Sequence, residues 1–191
     1  PNECIALLRQ QHGLRCIMGN HDAAVLGFID LRAFNEQAAK AVKIQSELLT
    51  QESHDFLELL DIMIEEGQIT FAHGSPSDPI WEYIITSRSA VENFSAFQTQ
   101  ICLVGHSHVP LIFGENPHVR PTMLMPQNAD RWRAKQRFIL NPGSVGQPRD
   151  RNPKAAYVIW DDEEDTWLFK RVAYDVESVQ QRILALGIPS R

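Results

Sequence analysis

No stretch of this chain approaches the roughly 20 apolar residues that cross a bilayer, so the sequence offers no membrane-spanning helix. It also lacks any Lys/Arg run, and acidic residues outnumber basic ones 24 to 18. An extended nucleic-acid surface rests on clustered basic charge, so none is expected, although a local site could hold a single phosphodiester. Cysteine is scarce: Cys4, Cys16 and Cys102 form an odd set at unrelated spacings. Neither a disulfide framework nor a thiolate metal site follows, and reduced, buried thiols are expected. No basic segment followed by an apolar one opens the chain, so no secretion leader is read and a cytoplasmic location is expected. Internal repeats and Gly/Ser-rich linkers are missing too. The 191 residues are therefore read as one domain, 1–191, with length enough for one substantial core.

What the chain does have is three short polar segments, each directly after an apolar run. Gly19-Asn20-His21-Asp22 follows residues 14–18, His73-Gly74 follows 69–72, and Gly105-His106-Ser107-His108 follows 101–104. Each run reads as a buried strand that delivers polar residues to its C-terminal end, where α/β folds build their sites. Asn and His are neutral oxygen and nitrogen donors suited to a divalent transition metal. His106 and His108, two apart in an extended segment, would project to the same side.

The remaining pattern is α/β. Residues 4–11 read as the end of a helix stopped by Gly13, and 35–49 and 53–64 carry apolar residues at helical spacing. In Ser77-Asp78-Pro79 the Asp can cap, and the Pro can open, a helix running towards Phe94. Strands are expected at 111–113, 137–140, 155–160 and 166–172, the last two joined by an acidic turn at 161–165. Asp175 can cap a last helix at 176–186. Residues 114–136 are the least regular, and a loop of that length is read as a hairpin extension, a flap over substrate or a contact between subunits. His12, His54 and His118 belong to no motif and are read as surface or structural positions.

Taken together, the polar blocks resemble those of the calcineurin-like metallophosphoesterases, in particular their small single-domain bacterial and archaeal phosphodiesterase branch. The superfamily is marked by Asp-x-His, Gly-Asp, Gly-Asn-His-Asp/Glu, a His-Gly pair and Gly-His-x-His. The last three stand here at 19–22, 73–74 and 105–108. The stretch Asn141-Pro142-Gly143-Ser144-Val145-Gly146-Gln147-Pro148-Arg149-Asp150 is similar to one that follows a late strand in that branch. The Asp-x-His and Gly-Asp blocks are absent, because Pro1-Asn2-Glu3-Cys4 is a segment that follows them in the family. The resemblance thus implies a two-sheet β-sandwich flanked by helices, a four-layer α/β fold that here lacks its first βαβ unit of about 30 residues. A missing strand implies an unpaired edge, and with it homo-oligomerisation or aggregation.

The implied activity is hydrolysis of a small phosphodiester or phosphomonoester by a metal-bound hydroxide, at two ions about 3.5–4 Å apart. By resemblance Asn20, His73 and His106 would bind the second metal and His108 the first. The Asp and His of the first metal and the bridging Asp are left unassigned. His21 would protonate or hydrogen-bond the leaving oxygen. Asp22 would either orient that imidazole or cap the turn. Arg149 is a candidate phosphate contact, with a salt bridge to Asp150 as the competing reading, and the Gly143–Gly146 turn could offer N–H groups to an anion or be purely structural. Mn is the first expectation for the metal, with Fe, Ni, Co and Zn open. The alternative is a weakly active or inactive scaffold for protein–protein interaction, as in the retromer subunit that shares the fold.

Overall fold

Four-residue runs such as Ile101-Cys102-Leu103-Val104 and Phe138-Ile139-Leu140-Asn141 are apolar on both sides of the strand, the pattern of strands covered on two faces. The computed structural model describes residues 1–116 and 121–188, so His118 lies outside the described residues. The chain divides into two compact units, Met63–Tyr174 and Pro1–Ile62 with the segment from Asp175 onward.

The unit from Met63 to Tyr174 holds both sheets. Strands β1 (Met63–Glu66), β2 (Ile69–Ala72), β3 (Ile101–Val104), β4 (Leu111–Gly114), β5 (Thr122–Leu124) and β7 (Phe138–Asn141) form one sheet in the order β1-β2-β3-β7-β4-β5. Strands β6 (Arg131–Arg133), β8 (Ala155–Asp161) and β9 (Thr166–Val172) form the second, in the order β6-β9-β8. Helix α5 (Ser87–Phe94) lies between β2 and β3 in the chain, as a parallel crossover requires.

Period-two alternation builds two cores on the larger sheet. Ile101, Ile112, Phe138 and Leu140 pack with Trp167 and Phe169 of the second sheet. Their chain neighbours Cys102, Leu111, Phe113 and Ile139 pack on the other face with Ala90 and Phe94 of α5. The layering within this unit is therefore helix, sheet, sheet, which agrees with the expected sandwich.

The other unit is helical. Alpha-helices α1 (Asn2–Arg9), α2 (Asn20–Val25), α3 (Glu36–Leu48), α4 (Gln51–Glu58) and α6 (Val176–Ala185) are assigned there. Asn35, Thr50 and Asp175 cap α3, α4 and α6 by accepting the N–H of Ala38, Ser53 and Ser178. Residues 14–18 do not form the expected strand: a single bridge pairs Ile17 with Asp61. A ladder needs a neighbour along its whole length, and among the described residues none is supplied. Instead, α1 and α4 border an apolar cavity of about 330 Å³ whose wall includes His21 and Asp22.

Three other expectations are corrected. The helix read over 53–64 ends at Glu58, and Met63–Glu66 pairs antiparallel with β2 across a turn in which Gly67 takes φ +59°. Only a residue tolerant of the left-handed region turns the chain there. The helix expected from Asp78 does not propagate: Asp78 accepts the N–H groups of Ile80 and Trp81, but the helix begins at Ser87 under a Thr86 cap. Residues 114–136 are more regular than expected: β5 pairs antiparallel with β4, in keeping with the hairpin extension, whereas β6 joins the second sheet.

Cys102 is fully buried on β3, and burial pushes its thiol up to about 12 from 9.0, the nearby Arg137 charge opposing the shift. Between those two values the unfolded chain releases this proton while the folded chain holds it, so stability should fall as pH rises from 9 towards 12. Cys102→Ala should flatten that alkaline slope in denaturant titrations. At pH 8 a thiol reagent should label exposed Cys4 quickly and Cys102 only on unfolding.

Candidate metal centre

Three adjacent parallel strands end level with one another. Ala72 of β2 stands opposite Val104 of β3, and Leu103 opposite Leu140 of β7, so His73, Gly105 and Asn141 arrive at one C-terminal sheet edge. Gly105 N–H donates to the His73 carbonyl at 2.9 Å, tying the first two loops together. His73 Nε2 then lies 3.0 Å from His106 Nδ1. Two nitrogens each about 2.1 Å from one ion, at a ligand angle near 90°, would stand about 3 Å apart. The same spacing serves an imidazole hydrogen bond, so the pair is competent for both.

His106 and His108 do not lie in extended backbone, as the alternation argument supposed. Both take left-handed conformations, with φ 57° and 61°. For residues with a Cβ such geometry costs about 1–3 kcal/mol each and persists only where the surroundings enforce it. Asn141 is part of that enforcement. It is 1 % exposed, donates from Nδ2 to the Gly105 carbonyl and, at 3.0 Å, to Ser107 Oγ, and accepts the Gly143 N–H at 2.9 Å. Gly143 can meet it only because it has no side chain: a Cβ there would stand 2.7 Å from Ala156 Cβ and 2.9 Å from Pro110 Cγ.

His108 is oriented from the same stretch. Its Nδ1 lies 2.8 Å from the Gln147 carbonyl oxygen, and Arg149 N–H donates back to the His108 carbonyl. A carbonyl only accepts, so Nδ1 carries the proton and Nε2 keeps a lone pair, the arrangement found in metal-ligating histidines. The donor set of His73, His106 and His108 therefore fits a divalent transition metal.

Asn20, His21 and Asp22 stand in the first turn of α2, in the helical unit. Asn20 is buried, and the His21 ring meets Phe34 edge-on at 5.2 Å. Asp22 Oδ2 accepts the Gly19 N–H at 2.8 Å, which is the capping role. Burial raises its pKa, and the Gly19 N–H offsets part of that. Arg149 is exposed and donates to Gln147 Oε1 at 2.8 Å, while Asp150 pairs with Arg171 instead. The expected Arg149–Asp150 pair is thus replaced, because Arg171 reaches Asp150 from β9.

Sequence reasoning marked the Asn141–Asp150 stretch by resemblance but gave Asn141 and Gln147 no role, and it passed over Tyr83. Asn141 could have been found, as a polar residue closing a buried strand. Gln147 acts through its carbonyl, so its identity carries no signal. Tyr83, whose ring stacks on His106 at 3.9 Å, sits in a loop that had been read as helix.

The profile of the calcineurin-like phosphoesterase superfamily domain matches residues 2–165. This chain belongs to that superfamily. A metallophosphoesterase from Sphaerobacter thermophilus is 38% identical, with TM-score 0.86 over 98% of this chain and 78% of its own. An uncharacterized protein of Methanocaldococcus jannaschii is 33% identical over 99% of this chain and 76% of its own length. A hypothetical protein of Pyrococcus horikoshii shares the fold at TM-score 0.73, with 20% identity, over 99% of this chain and 74% of its own. Family and fold together mark a phosphoester hydrolase of a kind that binds divalent metals. No helix among the described residues is long and apolar enough to cross a membrane.

Proposed function

We propose that this superfamily member hydrolyses a small phosphodiester at a dinuclear centre loaded with Mn²⁺. The observation that carries the reading is the facing pair of imidazole nitrogens, His73 Nε2 and His106 Nδ1, 3.0 Å apart at the end of two parallel strands. His73 and His106, with Asn20 by the motif order, would hold one ion, and His108 would offer Nε2 to the other. The ions would neutralise the phosphoryl oxygens and lower the pKa of a water.

The protein's own groups supply the rest. Asn141 and the Gln147 carbonyl hold His106 and His108 in place, so little reorganisation is left for the reaction. His21 would hold a proton for the leaving oxygen, a role an imidazole can fill as a general acid. Asp22 keeps that turn closed. The support for Asn20 and His21 is the family match, which runs through all three polar blocks and on to residue 165. Cys4, Cys16 and Cys102 are all free, which supports a reducing, cytoplasmic compartment.

The test is Mn²⁺-dependent hydrolysis of bis(p-nitrophenyl) phosphate by this chain and by any longer encoded form. His21→Ala should lower kcat by about 10²-fold. Absence of hydrolysis in both forms would transfer the assignment to a scaffold.

A further inference from the structure

The loop that follows His73 is moored far more firmly than its irregular backbone suggests. Gly74 N–H donates to the Pro79 carbonyl at 2.7 Å, and Ser75 N–H to the Asp78 carbonyl at 3.0 Å. The loop closes so tightly over Gly74 that a Cβ there would stand 2.7 Å from the Asp78 carbonyl oxygen and 3.0 Å from Glu82 N. Glu82 is the mooring. Its Oε2 accepts from the Ser75 hydroxyl and, at 2.9 Å, from Asn93 Nδ2, while Asn93 Oδ1 takes the Ser77 N–H at 3.1 Å. Ser75 and Asn93 are completely buried. On the other side of Tyr83, Ile84 is 2 % exposed and belongs to the core beneath α5.

Tyr83 is therefore gripped at both flanks while its own side chain is 44 % exposed. Its ring lies on the His106 imidazole, with centroids 3.9 Å apart and planes at 24°. Trp81 closes a second side of the same imidazole, edge-on at 6.4 Å and 79°. An exposed tyrosine has no burial reason to hold this pose, and the half-buried Glu82 carboxylate, bonded to buried Ser75 and Asn93, fixes the backbone that presents it. The feature satisfied by the arrangement is the plane of the His106 ring.

We propose that Tyr83 is a positioning residue for the metal centre: stacked on His106, it sets the imidazole plane so that Nδ1 faces His73 Nε2. The inference rests on the metal reading of that pair, and it adds a residue from outside every family block. Stacking needs the ring and not the hydroxyl, so phenylalanine should serve and alanine should not.

The experiment is Mn²⁺ calorimetry on the wild-type chain, Tyr83→Phe and Tyr83→Ala, with thermal unfolding of each and the imidazole proton spectrum of the metal-free forms. Wild type and Tyr83→Phe should bind alike and share a ring-current displacement of the His106 signals. Tyr83→Ala should lose that displacement and bind about three- to tenfold more weakly at an unchanged midpoint of unfolding. Unchanged affinity in Tyr83→Ala, or equal losses in both variants, would overturn the positioning role while leaving the metal centre standing. If wild type binds no Mn²⁺, the metal reading itself falls, and a surviving ring-current difference would show only that Tyr83 packs on His106.

Discussion

Replacing His106 with alanine is expected to lower Mn²⁺-dependent phosphodiester hydrolysis by about 10³-fold, equivalent to about 4 kcal/mol of transition-state stabilisation. The loss is that large because His106 stands where three constraints converge. Its Nδ1 faces His73 Nε2 at 3.0 Å, its ring carries Tyr83, and its backbone is held at φ 57° beside the Asn141 brace. Alanine removes the nitrogen and leaves the backbone strain in place. Metal affinity and kcat should fall together, whereas a variant defective only in substrate binding would raise KM at constant kcat. Steady-state kinetics and calorimetry on the same preparation check this, with His12→Ala at an exposed position as control. A His106→Ala variant retaining half of the wild-type rate at equal Mn²⁺ affinity would remove the sheet-edge centre from consideration.

The motif histidines were legible because their surroundings obey a local rule. Apolar runs such as Ile69–Ala72 and Ile101–Val104 become parallel strands, and the next residue lands on the C-terminal edge. The β8–β9 hairpin and the cap at Asp175 were legible for the same reason, since each depends on neighbours within a few residues. What escaped depends on long-range partners. Residues 14–18 have strand composition but, among the described residues, no ladder to join. The loop at 74–83 carries a helix-start signature at Asp78, which is overridden by the contacts of Glu82 with Ser75 and Asn93. The left-handed turns at His106 and His108 come from Asn141 and the Gln147 carbonyl, about 40 residues further along the chain.

The largest expected stability effect lies beside the centre, not in it. Arg171→Met should cost about 3–5 kcal/mol, because it leaves the Asp150 carboxylate buried without its cation. The pair is nearly enclosed, with side-chain exposures of 6% for Arg171 and 12% for Asp150, and Arg171 also donates to the Lys154 carbonyl at 3.2 Å. By contrast the Arg88–Glu92 pair is 88% and 57% exposed, and breaking it should change stability by less than about 0.5 kcal/mol. Urea unfolding of both variants separates the two cases. The Arg171 effect should persist in 0.5 M NaCl, since salt screens exposed pairs far more than enclosed ones. The consequence also reaches the chemistry. Asp150 ends the stretch whose Gln147 carbonyl orients His108 and whose Arg149 N–H holds the His108 backbone, so Arg171 anchors from β9 the loop that holds this proposed ligand. Arg171→Met should therefore weaken Mn²⁺ binding even at temperatures where the variant is fully folded, while Arg88→Met should not. Equal Mn²⁺ affinity in the two variants would mean that the loop keeps His108 in place without this anchor.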